Sequence, residues 1–408
     1  MTKPQMETGN KPIILLVAEA VTLAHFGRIV TLARALDSNK YEVVVASDPR
    51  YLDLDAPLNC TFHPIRSIPS AEFAIALARG KPVYSLETLS RYIEDDLALL
   101  DLVRPALVVG DFRLSLAVSA PLRKIPFATV VNAYWSPYAV TRYPVPDLPV
   151  TRILGITLAQ KLFDIIRPVA FALHARPLNR LRRRFGLTPL KQDIRNTYTW
   201  ADYTLYADIP EVVPALNLPP HHRYLGPILW SPAISLPAWW DCLPEDKPVV
   251  FLSLGSSGMA ALLPMALAAL SQLAITVVVA TARKITIDEV PANAYVTDYL
   301  PLDRVASRLK IVISNGGSLT TYQALSSGVP VIGLCSNLDQ LLNMNAVQQL
   351  GAAITLHCAR ISVTDLVMAV TAMLDNPSYG RAAIKISQIL AESDAKQRFR
   401  EFVVQVLH

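Results

Sequence analysis

Cysteine, glycine and charge are all scarce in this sequence. Its 408 residues include four cysteines, Cys60, Cys242, Cys335 and Cys358, and no two form a Cys-x-x-Cys pair. Zinc ribbons, thiol redox motifs and a disulfide framework therefore have no support, and a reducing cytoplasm is the expected location. Glycine occurs 15 times. No Gly-x-Gly-x-x-Gly follows the first strand pattern and no Gly-Lys-Ser/Thr occurs, so a nicotinamide dehydrogenase and a P-loop enzyme both lack their main signature. Charged residues make up 17%, and Lys plus Arg (38) exceed Asp plus Glu (33) by only five. Over this length that is a weak field, which argues against a nucleic-acid binder. The first ten residues are polar, with no apolar signal-peptide core. The uncharged run 259–282 is long enough to span a membrane. However, Pro264 and Ser271-Gln272 interrupt it, and its second half is β-branched. It reads better as a buried helix followed by a buried parallel strand. Membrane contact is expected to be peripheral at most.

What is abundant is apolar side chain, at 52% of the chain, ample for a large core. The length predicts two domains. Up to residue 130, short apolar runs alternate with helical stretches. Strand candidates are Ile13–Val17, Val43–Ala46, Leu107–Val109 and Ala128–Val131. A helix over Phe26–Leu36 sets Ile29, Leu32, Ala33 and Leu36 on one face. Such alternation implies a parallel sheet covered on both sides. Between about 135 and 240 the chain is rich in Pro, Trp and Tyr, with a basic helix around Arg176–Arg184, and Pro219-Pro220 and later Pro232, Pro237 and Pro244 read as connecting chain. After Pro248 the alternation returns. The expected division is a domain over 1–225, a Pro-rich linker over 226–245 and a second domain over 246–408. In open α/β sheets, ligands bind at the carboxyl ends of the strands.

The most informative stretch runs from Tyr295 to Gly351. A strand ending at Ser314 enters Asn315-Gly316-Gly317, and a helix then begins at Ser318. Glycines there let backbone approach a ligand closely. Ser318, Thr320 and Thr321 are natural cap residues, and the helix start is a ready anion site. Gln323 lies one turn further along the face that carries Thr320. After the next strand comes Asn337-Leu338-Asp339-Gln340. A structural reading competes at each point. Gly-Gly turns are common, and Asn337 with Gln340 has capping-box spacing.

In order and at these spacings, NGGSLT, QAL, GVP and DQLLN resemble the nucleotide-binding signature of the UDP-glycosyltransferase-like family, the inverting GT-B glycosyltransferases of the natural-product type. The resemblance implies two doubly wound, Rossmann-like α/β domains facing a cleft. It also implies a metal-independent hexosyltransferase whose co-substrate is a nucleotide-diphosphate sugar, with no other cofactor. By that resemblance Tyr299 would stack on the donor base, with Leu300 beside it. Ser256, Gly316, Gly317, Ser318, Leu319 and Thr320 would hold the diphosphate. Gln323 would contact ribose, and Asp339 with Gln340 would hold sugar hydroxyls. Asn315 stands where the family has a phosphate-binding His, and Gln323 where it has a ribose-binding Glu. An amide offers one acceptor oxygen where a carboxylate offers two, which leaves UDP and dTDP donors equally open.

The first strand leads into EAVTLAHFGRIV, with His25 at the start of the following helix. The family keeps its general base in this loop, and an Asp on the same sheet edge orients it. Asp111, just past another strand, fits that place. The competing readings are a capping or solvent-facing histidine, and for Asp111 a helix cap or a partner for Arg113. Asn132, Tyr134, Trp135 and Tyr138 follow the 128–131 strand and would suit an apolar or aromatic acceptor, at even odds with ordinary core packing. Asp53-Leu54-Asp55 matches the Asp-x-Asp of metal-dependent glycosyltransferases, but three residues in a turn assign no metal. The expected function is transfer of a sugar to the hydroxyl of a small acceptor. A nucleotide-sugar epimerase or a non-catalytic nucleotide-sugar binder is the alternative.

Overall fold

The computed structural model describes residues 11–255 and 257–407. Among the described residues, thirteen strands form two parallel sheets. The first contains β1 (Ile13–Ala18), β2 (Glu42–Ser47), β3 (Thr61–Pro64), β4 (Leu107–Asp111), β5 (Phe127–Val131), β6 (Tyr203–Tyr206) and β7 (His222–Tyr224), in the order β3-β2-β1-β4-β5-β6-β7. The second contains β8 (Val249–Ser253), β9 (Thr276–Ala280), β10 (Ala294–Thr297), β11 (Leu309–Ser314), β12 (Val331–Cys335) and β13 (Ala353–His357), in the order β10-β9-β8-β11-β12-β13. β1, β4 and β5 read IILLVA, LVVGD and FATVV and are buried almost throughout. A parallel strand covered by helices on both faces needs apolar residues at every position rather than at alternate ones.

In each sheet the strand order turns back beside the first strand. β1 lies between β2 and β4, and β8 between β9 and β11. Ala18 pairs with Asp111 and Ser253 with Ser314, so the loops after β1 and β4 are neighbours, as are those after β8 and β11. These are the crevices in which doubly wound sheets bind ligands.

The helix after β1, Leu23–Ala35, buries Ile29, Leu32, Ala33 and Leu36 as its spacing predicts. Gly27 in the same helix makes room for the linker: a β-carbon there would lie 2.8 Å from the Trp230 ring. Trp230 Nε1 donates to Asp55 Oδ1 at 3.1 Å, which holds the linker to the first sheet's layer. The segment expected to form the second domain departs from its sheet at its end. The last helix, Ala395–Leu407, packs Phe399, Phe402 and Val403 into the cluster beneath Ile29 and Leu32.

The run 259–282 resolves into a short turn, a helix over Leu263–Leu270 and β9. Among the described residues, no helix is long and apolar enough to cross a membrane. The helix expected around Arg176–Arg184 is the end of a much longer element. Residues Pro149–Arg184 form one 36-residue helical run, broken in φ/ψ at Gly155 and containing Pro168 and Pro177. Proline removes one backbone donor and usually ends a helix, so Pro168 hides the rest of the element from a local reading.

Candidate active site

A cavity of about 280 Å³ opens between the carboxyl ends of the two sheets, and residues from both sheets line it. Its polar end combines His25, Arg28, Asp111, Asn132 and Trp135 with Ser257, Asn315, Gly317 to Thr320 and Asn337 to Gln340. The other end is apolar, with Phe73, Leu77 and Val83 facing Leu148, Phe163 and Phe171.

His25 is the third residue of its helix and partly exposed. Its Nδ1 lies 2.7 Å from Asp111 Oδ1, and Asp111 is fully buried. Arg28, one turn further on, donates from Nε to Asp111 Oδ2 at 2.7 Å and from Nη2 to Oδ1 at 2.9 Å. Burial pushes the Asp111 carboxyl up, but Arg28 and His25 outweigh it and hold the group below the ordinary carboxylate range. An ionised carboxylate only accepts, so the 2.7 Å contact puts a proton on Nδ1, the tautomer whose neutral form carries its lone pair on Nε2. Arg28 Nη2 also approaches Nδ1, at 2.9 Å. With Nδ1 a donor, that proximity follows from both groups sharing one oxygen.

Phe112 fixes the other degree of freedom of the imidazole. Its ring stacks on His25 with centroids 4.9 Å apart and planes 5° apart. Phe112 adopts φ +58°, a left-handed conformation that costs a bulky residue energy and persists only where its surroundings enforce it. Phe73, Tyr84 and Tyr198 surround its ring. Arg113, the competing partner for Asp111, turns away into a buried cluster and donates to Glu19 and Asp96 at 3.0 Å each.

Asn132 joins the two halves. Its Oδ1 accepts from Arg28 Nη1 at 2.8 Å and from Ser318 Oγ at 3.3 Å, and its Nδ2 donates to buried Asp208 at 3.1 Å. The other oxygen of Asp208 accepts from Tyr322, in the helix Ser318–Ser326, at 2.7 Å. Burial raises the Asp208 carboxyl, against the hydrogen bonds from Ala133, Tyr322 and Asn132.

At the turn after β11, Gly316 has φ +82°, and a β-carbon there would lie 2.6 Å from both Cys335 Sγ and Met344 Cγ. Only glycine fits. Asn315 shapes the turn from both ends of its amide: Oδ1 accepts from Gly317 N at 3.1 Å, and Nδ2 donates to Ser257 Oγ at 3.0 Å. No side chain caps the helix Ser318–Ser326. Its first N–H groups are therefore left without a side-chain acceptor, the arrangement from which helix starts bind anions. Ser318, Leu319 and Thr320 line the cavity there.

Gln340 carries both of its competing readings at once. Its Oε1 accepts from the backbone of Ser336 at 2.9 Å and closes the capping box with Asn337, while its buried Nε2 has no partner. An unsatisfied buried donor beside a cavity is ready for a ligand oxygen. Asp339 Oδ1 accepts from the Trp135 indole at 2.7 Å, so a side chain of the first half already touches the carboxylate expected to hold sugar.

Six expected site residues lie outside the cavity lining, among them Gly316, which is buried against Cys335 and Met344. Gln323 does not line the cavity. Its Nε2 donates to Trp230 O at 2.6 Å and Ser231 Oγ at 2.8 Å, so the amide ties the linker, where a carboxylate would repel the Trp230 carbonyl. Tyr299 donates to Ala282 O at 3.3 Å and carries the Arg283 guanidinium 5.3 Å from its ring centroid. Leu300 is buried in the core. Tyr134 is fully buried, and Tyr138 packs edge-on against His222, both outside the cavity lining. Ser256 lies outside the described residues. Asp53 pairs with Arg283, and Asp55 with Arg34 and Trp230. Among the described residues, no three His, Cys, Asp or Glu are grouped to hold a metal ion.

Sequence reasoning missed Arg28, Phe112 and Tyr198. Arg28 left a signal, since three residues after His25 it shares that face of the helix. Phe112 directly follows Asp111. Tyr198, edge-on to Trp135 at 5.0 Å, comes from a distant segment with no local signature.

Residues 264–406 match the family described as erythromycin biosynthesis protein CIII-like, C-terminal domain. The chain is 49% identical over 374 residues to a PGL/p-HBAD biosynthesis rhamnosyltransferase of Mycobacterium bovis, covering 92% of this chain and 83% of that one. It is 48% identical over 375 residues to a PGL/p-HBAD biosynthesis glycosyltransferase of Mycobacterium tuberculosis, covering 92% and 88%. Among solved structures, spinosyn rhamnosyltransferase SpnG complexed with thymidine diphosphate superposes with TM-score 0.67 at 19% identity, over 96% of this chain and 99% of that one.

Proposed function

Given that the chain belongs to the GT-B glycosyltransferases, as a member of the family that includes the PGL/p-HBAD biosynthesis enzymes, we propose that it transfers a deoxyhexose from a dTDP-sugar to an apolar acceptor hydroxyl with inversion. The observation that carries this reading is the pairing across one cavity of an oriented imidazole with an uncapped helix start.

His25 Nε2 takes the proton of the acceptor hydroxyl. The oxygen attacks the anomeric carbon from the face opposite the diphosphate, and the C–O bond to the diphosphate breaks. Negative charge developing on the leaving diphosphate meets the N–H groups of Ser318 to Thr320, preorganised donors that need no rearrangement during the reaction. Gln340 Nε2 and Asp339 offer a donor and an acceptor to sugar hydroxyls. Gln323 is engaged with the linker, so no carboxylate waits for a ribose diol. That favours a nucleotide without a 2′-hydroxyl, in keeping with a relative named as a rhamnosyltransferase and a neighbour holding thymidine diphosphate.

The direct test incubates the protein with dTDP- and UDP-rhamnose, with and without a panel of alkyl phenols, in buffer containing chelator. Released nucleotide together with a glycoside of inverted anomeric configuration is the expected result. Strict dependence on an added divalent ion would remove the helix-start account of leaving-group stabilisation. An altered free sugar would make the protein an epimerase, and binding without turnover a receptor.

Arg28 is a positioning residue with its own signature. Its guanidinium donates to both oxygens of Asp111 and to Asn132, and so fixes the carboxylate that orients His25. Arg28→Met should lower kcat roughly tenfold through a misplaced imidazole, with affinity for dTDP little changed. Steady-state kinetics and nucleotide titration read the two quantities. An unchanged kcat would assign Arg28 to packing alone.

Asn315 is a neutral amide beside the diphosphate site. Asn315→Ala should weaken nucleotide-diphosphate binding modestly, by loosening the turn. Asn315→Asp keeps the acceptor for Gly317 N but sets a carboxylate against phosphate, and should weaken binding roughly tenfold further. Calorimetric titration with dTDP reads both. Equal affinities would mean that Asn315 does not face the phosphates.

A further inference from the structure

The helical run Pro149–Arg184 walls the cavity with one face and leaves another bare. Phe163, Ala170, Phe171 and His174 line the cavity. Leu158, Leu162, Ile165, Ile166, Val169 and Leu173 follow one another at helical spacing, which stacks them in a single stripe turned the other way. All six are exposed, Ile165 to 76% and Val169 to 62%. A water-facing surface rarely keeps so many large aliphatic side chains in one contiguous band.

The same three- and four-residue spacing then continues through Arg176, Arg180, Arg183 and Arg184, all exposed. The stripe changes from aliphatic to cationic as the helix ends. Arg182, off that spacing, is buried and lies over Trp200. From 158 to 184 the sole acidic residue is Asp164, and it accepts from Gln160 at 2.9 Å.

We infer that this stripe seats the protein on an anionic lipid surface, with the aliphatic side chains at the boundary of headgroups and acyl chains and the arginines on acidic headgroups. A second copy of the chain fits it poorly. A parallel pair would set four arginines against four arginines, and an antiparallel pair would set them against aliphatic side chains. Wall and seat are thus two faces of one helix about 10 Å thick. The seating does not depend on which acceptor the cavity takes.

The full chain is floated with vesicles of phosphatidylcholine alone, and with vesicles containing phosphatidylcholine and phosphatidylglycerol in a two-to-one ratio. Binding is expected to the mixed vesicles, weakening as salt rises. Each of Arg176→Gln, Arg180→Gln, Arg183→Gln and Arg184→Gln should lower partitioning on the order of fivefold, and the four together several-hundred-fold. The double variant Ile165→Asp, Val169→Asp should lose binding with its arginines intact. Melting temperature and sugar transfer to a water-soluble phenol should stay at wild-type values in both variant sets, so failure of the seating is separable from failure of the transferase reading. No flotation of the wild type at low salt, or equal flotation of all forms, overturns the inference. A dimer in solution that Ile165→Asp dissociates overturns it too, and gives the stripe to a second copy.

Discussion

Replacing His25 by alanine is expected to lower kcat by about 10²–10⁴-fold, the usual worth of a positioned general base, while affinity for dTDP holds. On the function proposed above, the two parts of that result have separate physical origins. The imidazole, on the first sheet's edge, is the group proposed to take the acceptor proton, and the helix start after β11, in the other sheet, is the group proposed to hold the diphosphate. Rapid-quench turnover and nucleotide titration read the two quantities independently. Collapse of nucleotide affinity with kcat intact would take His25 out of the chemistry. Asp111→Asn should cost less than His25→Ala, because Arg28 already cancels much of the carboxylate's charge and what is lost is chiefly the fixed tautomer. The reverse order would make Asp111 the base.

The largest stability change is expected at Arg113, away from the reacting groups. Its side chain is fully buried, donates to Glu19 and Asp96, and lies 3.7 Å from the centroid of the Tyr92 ring. Arg113→Met fills much of the same volume but leaves two buried carboxylates with no cation. Breaking a buried pair in this way costs about 3–5 kcal/mol. The pH dependence carries the proof. Burial pushes the carboxyls of Glu19 and Asp96 up, and Arg113 pulls them back. Without Arg113 they rise further, so the folded state holds protons more tightly than the unfolded chain. Such groups favour folding at low pH and lose that contribution as pH rises through their folded values. The deficit of Arg113→Met against wild type should therefore be smaller near pH 5.5 than near pH 8, and thermal melts at the two pH values measure it. An equal deficit at both would place the cost in packing.

The parts of this molecule that the sequence made legible are those where one physical signal is strong and local. The covered parallel strands announce themselves by short apolar runs rich in Ile, Leu and Val, and the turn at Asn315-Gly316-Gly317 by its place in a series of ordered motifs. Of the 36-residue helical run only the basic end around Arg176–Arg184 did, because Pro168 is a breaker in any window that excludes the surrounding packing. Gln323 was misplaced for a different reason. Its position on its helix was read correctly, but which neighbour that face meets depends on where the linker lies, and Trp230 is 93 residues away. Tyr134 and Trp135 sit side by side in the chain, yet one is core and the other lines the cavity. Only the three-dimensional path of the loop decides between them.

The return of the last helix to the first sheet means that the polypeptide passes between the two halves twice. The two passes touch. Gly226 has φ +100°, a β-carbon on it would collide with the Ser393 side chain, and Arg398 reaches both Ser393 Oγ and Leu225 O. Two strands of covalent chain fastened at one place act like a pair of adjacent door hinges. They permit the halves to swing about the line through both but resist twisting of one half against the other. It follows as well that a functional exchange of donor-binding halves between related enzymes must cut at both crossings, leaving Ala395–Leu407 with the half on which it rests.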